Sequence, residues 1–262
     1  MARKARKISN TKVYHIMLRG INKQDIFLEE QDRYKFLKDL KDVKDKYNFE
    51  LFAYCLMPNH VHLLIKDCNN SISNSMHSIG IRYSTYMNKK YERVGHLFQN
   101  RYLSKPVENK EYLLNLIRYI HQNPMKAGIN TIDAYKWSSY REYIYHEKLI
   151  DSVPILKLFA NDKWTALKSF IKYNHESIKI TKEKEQEFEF VFRLKISDEE
   201  LIKLIKEKLK IDNIYLIQQY QKEKRDKYIG EILQISGVNM RQVARVLGIS
   251  ERTIYRVNKL QK

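Results

Sequence analysis

The sequence predicts an α+β fold: a ferredoxin-like antiparallel sheet with packed helices, followed by a small all-α module. Three observations carry this reading. Segments with two-residue alternation and segments with helical spacing follow one another as strand, helix, strand, strand, helix, strand, helix over residues 11–122. A Met57-Pro58-Asn59 break separates two strand-like runs and makes them a hairpin. All 4 prolines (Pro58, Pro106, Pro124, Pro154) lie in the first two-thirds, so the last third reads as helical.

Taken in order, residues 1–10 form a basic arm and residues 11–19 (TKVYHIMLR) a strand, turned by Gly20 and Asn22. Residues 31–47 place Phe36, Leu37, Leu40 and Val43 on one helical face. Residues 49–56 and 60–66 are the hairpin strands, and residues 72–91 the second helix. Residues 102–107 form a short strand, at an edge because Pro106 cannot donate to a ladder. Residues 111–122 form the third helix, ending at Asn123-Pro124 because a residue before proline disfavours the helical region. Trp137-Ser138-Ser139-Tyr140 closes the region. A polar stretch at 179–189 reads as a connection, and 197–210, 214–235 and a final helical pair follow it. The expected division is a sheet-bearing domain over 1–150, a helical connection over 151–195 and a helix-turn-helix module over 196–262.

Composition narrows the partners. Hydrophobic residues make up 43% of the chain, enough for a core. The 49 basic and 31 acidic residues give a net charge of +18, which points to a polyanion and puts nucleic acid ahead of an acidic membrane surface or protein. Cys55 and Cys68 have neither CxxC spacing nor a disulfide framework, as fits a reducing cytoplasm. The basic N-terminus lacks the apolar stretch of a secretory signal, and no apolar run approaches the ~20 residues of a membrane span. A cytoplasmic, nucleoid-associated protein with no membrane partner is expected.

The sharpest local signal is Pro58-Asn59-His60-Val61-His62-Leu63-Leu64-Ile65. Residues two apart on a strand share a face, so His60 and His62 present adjacent imidazoles while Val61 and Leu63 point the other way. Two neighbouring imidazoles can hold a divalent metal. The alternative is a pair of unrelated strand histidines. On the third helix Tyr119 and Asn123, four apart, share a face. A phenol can attack phosphorus when a metal or base assists, and a carboxamide oxygen can be a metal ligand. With 19 tyrosines in the chain, spacing alone does not select Tyr119 over Tyr112.

Several segments, in order, resemble the REP-associated tyrosine transposases, single-tyrosine members of the His-hydrophobe-His (HUH) endonucleases. They are Val13-Tyr14-His15 with Arg19-Gly20 and Ile26-Phe27, then Tyr54-Cys55-Leu56-Met57-Pro58-Asn59-His60-Val61-His62-Leu63-Leu64. Gly95 to Tyr102 (GHLFQNRY), Arg118 to Gly128 (RYIHQNPMKAG) and Trp137-Ser138-Ser139-Tyr140 complete the set, which covers roughly residues 8–145. The resemblance implies the HUH endonuclease fold, with the His pair on a central strand and the tyrosine on a nearby helix. It implies that His60 and His62 ligate Mg²⁺ or Mn²⁺, with Asn123 where relatives carry a polar third ligand, often Gln. It implies that Tyr119 is the nucleophile, attacking single-stranded or hairpin DNA to leave a 5′-phosphotyrosine and a free 3′-OH. Arg19, Arg82, Arg101 and Arg118 are candidates for phosphate or base contacts. The mix of rings and charge in Phe98-Gln99-Asn100-Arg101-Tyr102 suits unpaired bases. A related branch of the family works as a homodimer; a monomer is the alternative here.

The C-terminal segment Gln242 to Arg256 (QVARVLGISERTIYR) has helix-turn-helix spacing and resembles the DNA-binding modules of replication initiators and transposases. Ala244 is small where two helices cross, Gly248 makes the turn and Ser250 caps the second helix. Arg252, Thr253, Tyr255 and Arg256 would face the major groove of duplex DNA. Three functions follow: a DNA-nicking and -joining transposase; a non-catalytic, domesticated regulator that works through the helix-turn-helix; or a replication or plasmid-transfer nickase, which shares the chemistry of the first and differs only in the DNA it serves. The intact His60, His62, Tyr119 and Asn123 favour the first.

Overall fold

The computed structural model describes residues 6–145, 148–176, 188, 197–235 and 238–260. The first five residues of the expected basic arm, and the expected connection at 179–189 apart from Phe188, lie outside the described residues. The chain divides into two compact units, Met1–Phe190 and Val191–Lys262.

In the first unit, β1 (Val13–Arg19), β2 (Glu50–Met57), β3 (His60–Lys66) and β4 (Leu103–Pro106) form a sheet in the order β2-β3-β1-β4. Every pair is antiparallel, as expected, and the order is that of a ferredoxin-like sheet. β3 is central because Val61, Leu63, Leu64 and Ile65 are apolar on both faces and fully buried. The free edge of β2 is covered by the Trp137–Tyr140 segment. Leu56 N–H donates to the Trp137 carbonyl at 2.9 Å, and Ser139 N–H to that of Tyr54 at 3.0 Å. An otherwise open edge thereby satisfies its backbone groups.

Helices α1 (Glu30–Tyr47) and α2 (Ile72–Lys90) pack on each other through Phe36 and Tyr83, edge to face at 5.1 Å. Helix α3 (Lys110–Lys126) packs across β2 and brings Tyr119 against His62, so it covers the sheet face that carries the histidines. It does not stop at Asn123-Pro124; Pro124 lies inside it. At the last turn a proline forfeits one hydrogen bond, to the Ile120 carbonyl, and the helix tolerates this because the ring is buried and Ala127 N–H still reaches the Asn123 carbonyl at 3.0 Å. Asn123 therefore stays helical, one turn beyond Tyr119. The short α4 (Tyr140–Ile144) and α5 (Val153–Leu156) lead to α6 (Lys163–His175), which clamps α3. His121 Nδ1 lies 2.9 Å from Asn174 Oδ1, and Gln122 Nε2 donates to the Asn174 carbonyl at 2.7 Å.

The second unit holds α7 (Asp198–Leu209), a 3-10 stretch (Ile214–Gln219), α8 (Lys222–Leu233), α9 (Met240–Leu247) and α10 (Glu251–Leu260). The expected single helix over 214–235 is two pieces. An extended break at Tyr220 and Gln221 lets Ile214 and Ile217 enter the core and Gln218 reach the Leu247 carbonyl at 2.7 Å. Asn239 caps α9, Gly248 ends it in the left-handed region at φ 64°, and Ser250 Oγ accepts from Thr253 N–H at the start of α10. Val243, Leu247, Ile254 and Val257 hold α9 and α10 together.

Among the described residues, no helix is long and apolar enough to cross a membrane.

Candidate active site

Strand pairing builds the site. Met17 lies opposite His62 and Arg19 opposite His60, so these four and His15 share one face of β1 and β3. The His60 and His62 rings stand edge to face at 4.9 Å. The Tyr119 ring meets His62 edge-on at 5.7 Å, stacks on Phe188 at 5.3 Å and has the Lys126 ammonium 5.1 Å from its centre. Tyr119 is 4% exposed. Tyr112, two turns earlier, packs on Phe188 at 5.1 Å. Asn123 hydrogen-bonds to the His60 side chain, and its Nδ2 donates to the Tyr119 carbonyl at 3.4 Å, which leaves Oδ1 as its electron-pair donor.

Hydrogen bonds orient both imidazoles from behind. Asn59 Nδ2 donates to the Lys23 carbonyl at 3.1 Å, which fixes that amide, and its Oδ1 lies 2.6 Å from His60 Nδ1. His60 therefore carries its proton on Nδ1 and a lone pair on Nε2. His62 Nδ1 lies 2.9 Å from Nε2 of the fully buried His15, the two rings stacked at 5.1 Å.

Burial lowers the pKa of His60 to about 4, helped by the charge of Arg19 and opposed by the hydrogen bond to Asn123. His62 is held well below the usual imidazole value by burial, His60, His15 and Arg19, and His15 falls to about 3 through burial and Lys105. All three rings are neutral at pH 7, the state a metal ligand requires. Among the described residues no group of three or more His, Cys, Asp or Glu side chains could hold a metal ion. A metal here would rest on two imidazoles and a carboxamide oxygen. That donor set suits Mn²⁺ better than Mg²⁺, which favours all-oxygen shells.

The arginines separate. Arg19 ends β1 at the histidines. Arg101 is exposed on a groove between α2 and the loop before β4, where the Arg6 guanidinium sits 3.7 Å over the Tyr102 ring. Arg82 pairs with Asp42 across α1 and α2 at 3.6 Å. Arg118, next to Tyr119 in sequence but rotated to another helix face, donates to Asn115 Oδ1 at 2.8 Å and lies 4.1 Å over the Tyr173 ring. It fastens α6 to α3 instead of facing the histidines. In the second unit Arg252 and Tyr255 are exposed on α10, and Thr253 is tied to Ser250. Arg256 turns back to the Asp226 carboxylate at 2.8 and 3.0 Å, because a carboxylate one helix away competes for its fork.

Sequence reasoning gave no role to His15 or Asn59. Asn59 was legible as the neighbour of His60. His15 lies 47 residues from its partner, and only the β1–β3 register joins them.

Residues 8–123 match the family model described as transposase IS200 like. A protein of Haemophilus influenzae named as a REP-associated tyrosine transposase is 26% identical over 129 residues, covering 43% of this chain and 71% of the relative. A solved REP-associated tyrosine transposase bound to a REP hairpin aligns with a TM-score of 0.48 at 18% identity, over 58% of this chain and 89% of that one. A transposase structure from Deinococcus radiodurans aligns with a TM-score of 0.32 at 21% identity, over 46% of this chain and 96% of that one. Over residues 8–123, the chain is similar to the IS200-like transposases.

Proposed function

We propose that this chain is a transposase that nicks and rejoins single-stranded DNA through Tyr119. The observation that carries the reading is the convergence of Tyr119, His60, His62 and Asn123 on one face of the sheet, with His60 presenting an Nε2 lone pair. The Tyr119 Oη attacks a backbone phosphorus. A phosphorus–oxygen bond to tyrosine forms, the bond to the 3′ oxygen breaks, and the strand ends as a 5′-phosphotyrosine and a 3′-OH. The phenolic proton leaves to solvent, and the 3′ oxygen takes one up. Rejoining reverses these steps with a 3′-OH as attacker, so no nucleotide cofactor is consumed. A divalent ion held by His60, His62 and Asn123, Mn²⁺ or Mg²⁺, would polarise the scissile phosphate. Arg19 adds a fixed positive charge where the phosphate oxygens would lie. Arg101, Arg6 and Tyr102 suit contact with a single strand or hairpin. The exposed Arg252 and Tyr255 of α10 suit the major groove of a duplex.

The test is a hairpin-bearing oligonucleotide incubated with the protein and Mn²⁺. A covalent adduct forms with the wild type and is lost in Tyr119→Phe. An adduct that persists in Tyr119→Phe moves the nucleophile elsewhere. Duplex binding with no adduct on any substrate would make the protein a regulator.

A further inference from the structure

The two imidazoles of the site are oriented by different devices. His60 takes its tautomer from the next residue: the Asn59 amide, pinned by its own bond to the Lys23 carbonyl, can only accept from Nδ1. His62 has no such neighbour. Its Nδ1 is engaged by His15 Nε2 at 2.9 Å, and His15 is another imidazole, able to donate or to accept. The direction of this bond decides what His62 offers on its other side. If His15 donates, the His62 proton sits on Nε2 and no lone pair faces Tyr119 and His60. If His62 donates from Nδ1, His15 carries its proton on Nδ1 and the His62 Nε2 lone pair faces the site.

We propose that His15 is a positioning residue that accepts the Nδ1 proton of His62 and thereby turns the His62 Nε2 into a metal-donor atom. The proposal rests on the reading of His60 and His62 as ligands. The pairing is built into the fold. His15 sits on β1 two residues from the Met17–His62 pair, stacks on the His62 ring at 5.1 Å, and is fully buried, so water cannot replace it as the acceptor. Removing it would leave a buried Nδ1–H with nothing to accept it, and the ring would shift its proton or its orientation. Partners of this kind typically govern metal affinity by about 10–100-fold.

Two measurements on the full chain test this. Ring ¹⁵N shifts of the metal-free protein should report His62 protonated at Nδ1 and His15 accepting at Nε2; a His62 protonated at Nε2 would overturn the proposal. Calorimetric titration with Mn²⁺ alone then compares the wild type with His15→Phe, which fills the space without an acceptor, and His15→Gln, whose amide oxygen can accept. His15→Phe should bind Mn²⁺ about 10–100-fold more weakly, and His15→Gln should recover much of that loss. Equal affinity in all three, or equal loss in both variants alongside equal loss of melting temperature, sinks the positioning role. No Mn²⁺ uptake by the wild type would instead remove the ligand reading of His60 and His62, and the proposal with it.

Discussion

The two units hold their candidate functional groups in opposite ways. In the first unit Tyr119 and His62 are buried, and each is set by a partner far away in sequence: His15 behind His62, and α6 clamped on the helix that carries Tyr119. In the second unit Arg252 and Tyr255 stand exposed on α10, a helix whose start is capped locally by Ser250. Covalent chemistry on phosphate needs groups fixed to within a fraction of an ångström and shielded from bulk water, which a packed sheet face supplies. A duplex groove needs a protruding, solvated helix, so packing there has only to support the face from below.

The largest test of this contrast is Asp32→Asn, in the first unit alone. The Asp32 carboxylate is fully buried and accepts from the backbone N–H groups of Leu28 and Glu29, the hydroxyls of Tyr86 and Tyr91, and Lys90 Nζ at 2.8 Å. An amide cannot satisfy all of these and leaves the ammonium with only the more exposed Glu29 carboxylate as counter-charge, so about 3 kcal/mol of stability should be lost. Amide hydrogen exchange should accelerate in α1 and α2 and stay unchanged in α9 and α10. Burial raises the pKa of this carboxyl, but the hydrogen bonds from Lys90, Glu29, Tyr91 and Leu28 outweigh it, so the folded value lies below the ordinary 3.8. The stabilisation is therefore present above pH 4 and lost as pH falls through the folded value. An Asp32→Asn protein melting with the same acid dependence as the wild type would contradict this assignment.

A smaller effect is expected from Gly248→Ala in the second unit. At φ 64° an added Cβ is strained, and it would lie 2.6 Å from Gln218 Nε2, which bonds the Leu247 carbonyl. About 1–2 kcal/mol should be lost, with exchange accelerating in α9 and α10 only. Smallest is the pair Arg252→Ala and Arg256→Ala. Arg252→Ala should weaken duplex binding and lower the salt-dependence slope by about 1 without changing the melting temperature. Arg256→Ala should lower the melting temperature, because Asp226 loses its hydrogen-bonded guanidinium and keeps only Arg225 at 3.9 Å, and leave the slope in place. Identical behaviour of the two would remove the distinction between the solvated face and its support.

The amino-acid sequence by itself determined the succession of strands and helices, because period-2 and period-3.6 patterns are local. It also determined the His60–His62 face, because side chains two apart on a strand must point the same way. Family resemblance, not spacing, singled out Tyr119 from Tyr112. Only the tertiary structure decided which strand lies beside which, and with it the meeting of His15 and His62 across 47 residues. It also carried α3 through Pro124, so that Asn123 stays one helical turn from Tyr119. And it sorted the arginines: Arg19 stayed at the histidines, while Arg118 and Arg256 went to nearby partners. The physical reason is common to all three. A charge or a ring nitrogen is assigned its role by the partner it meets in space, and distant partners leave no periodic trace in the chain.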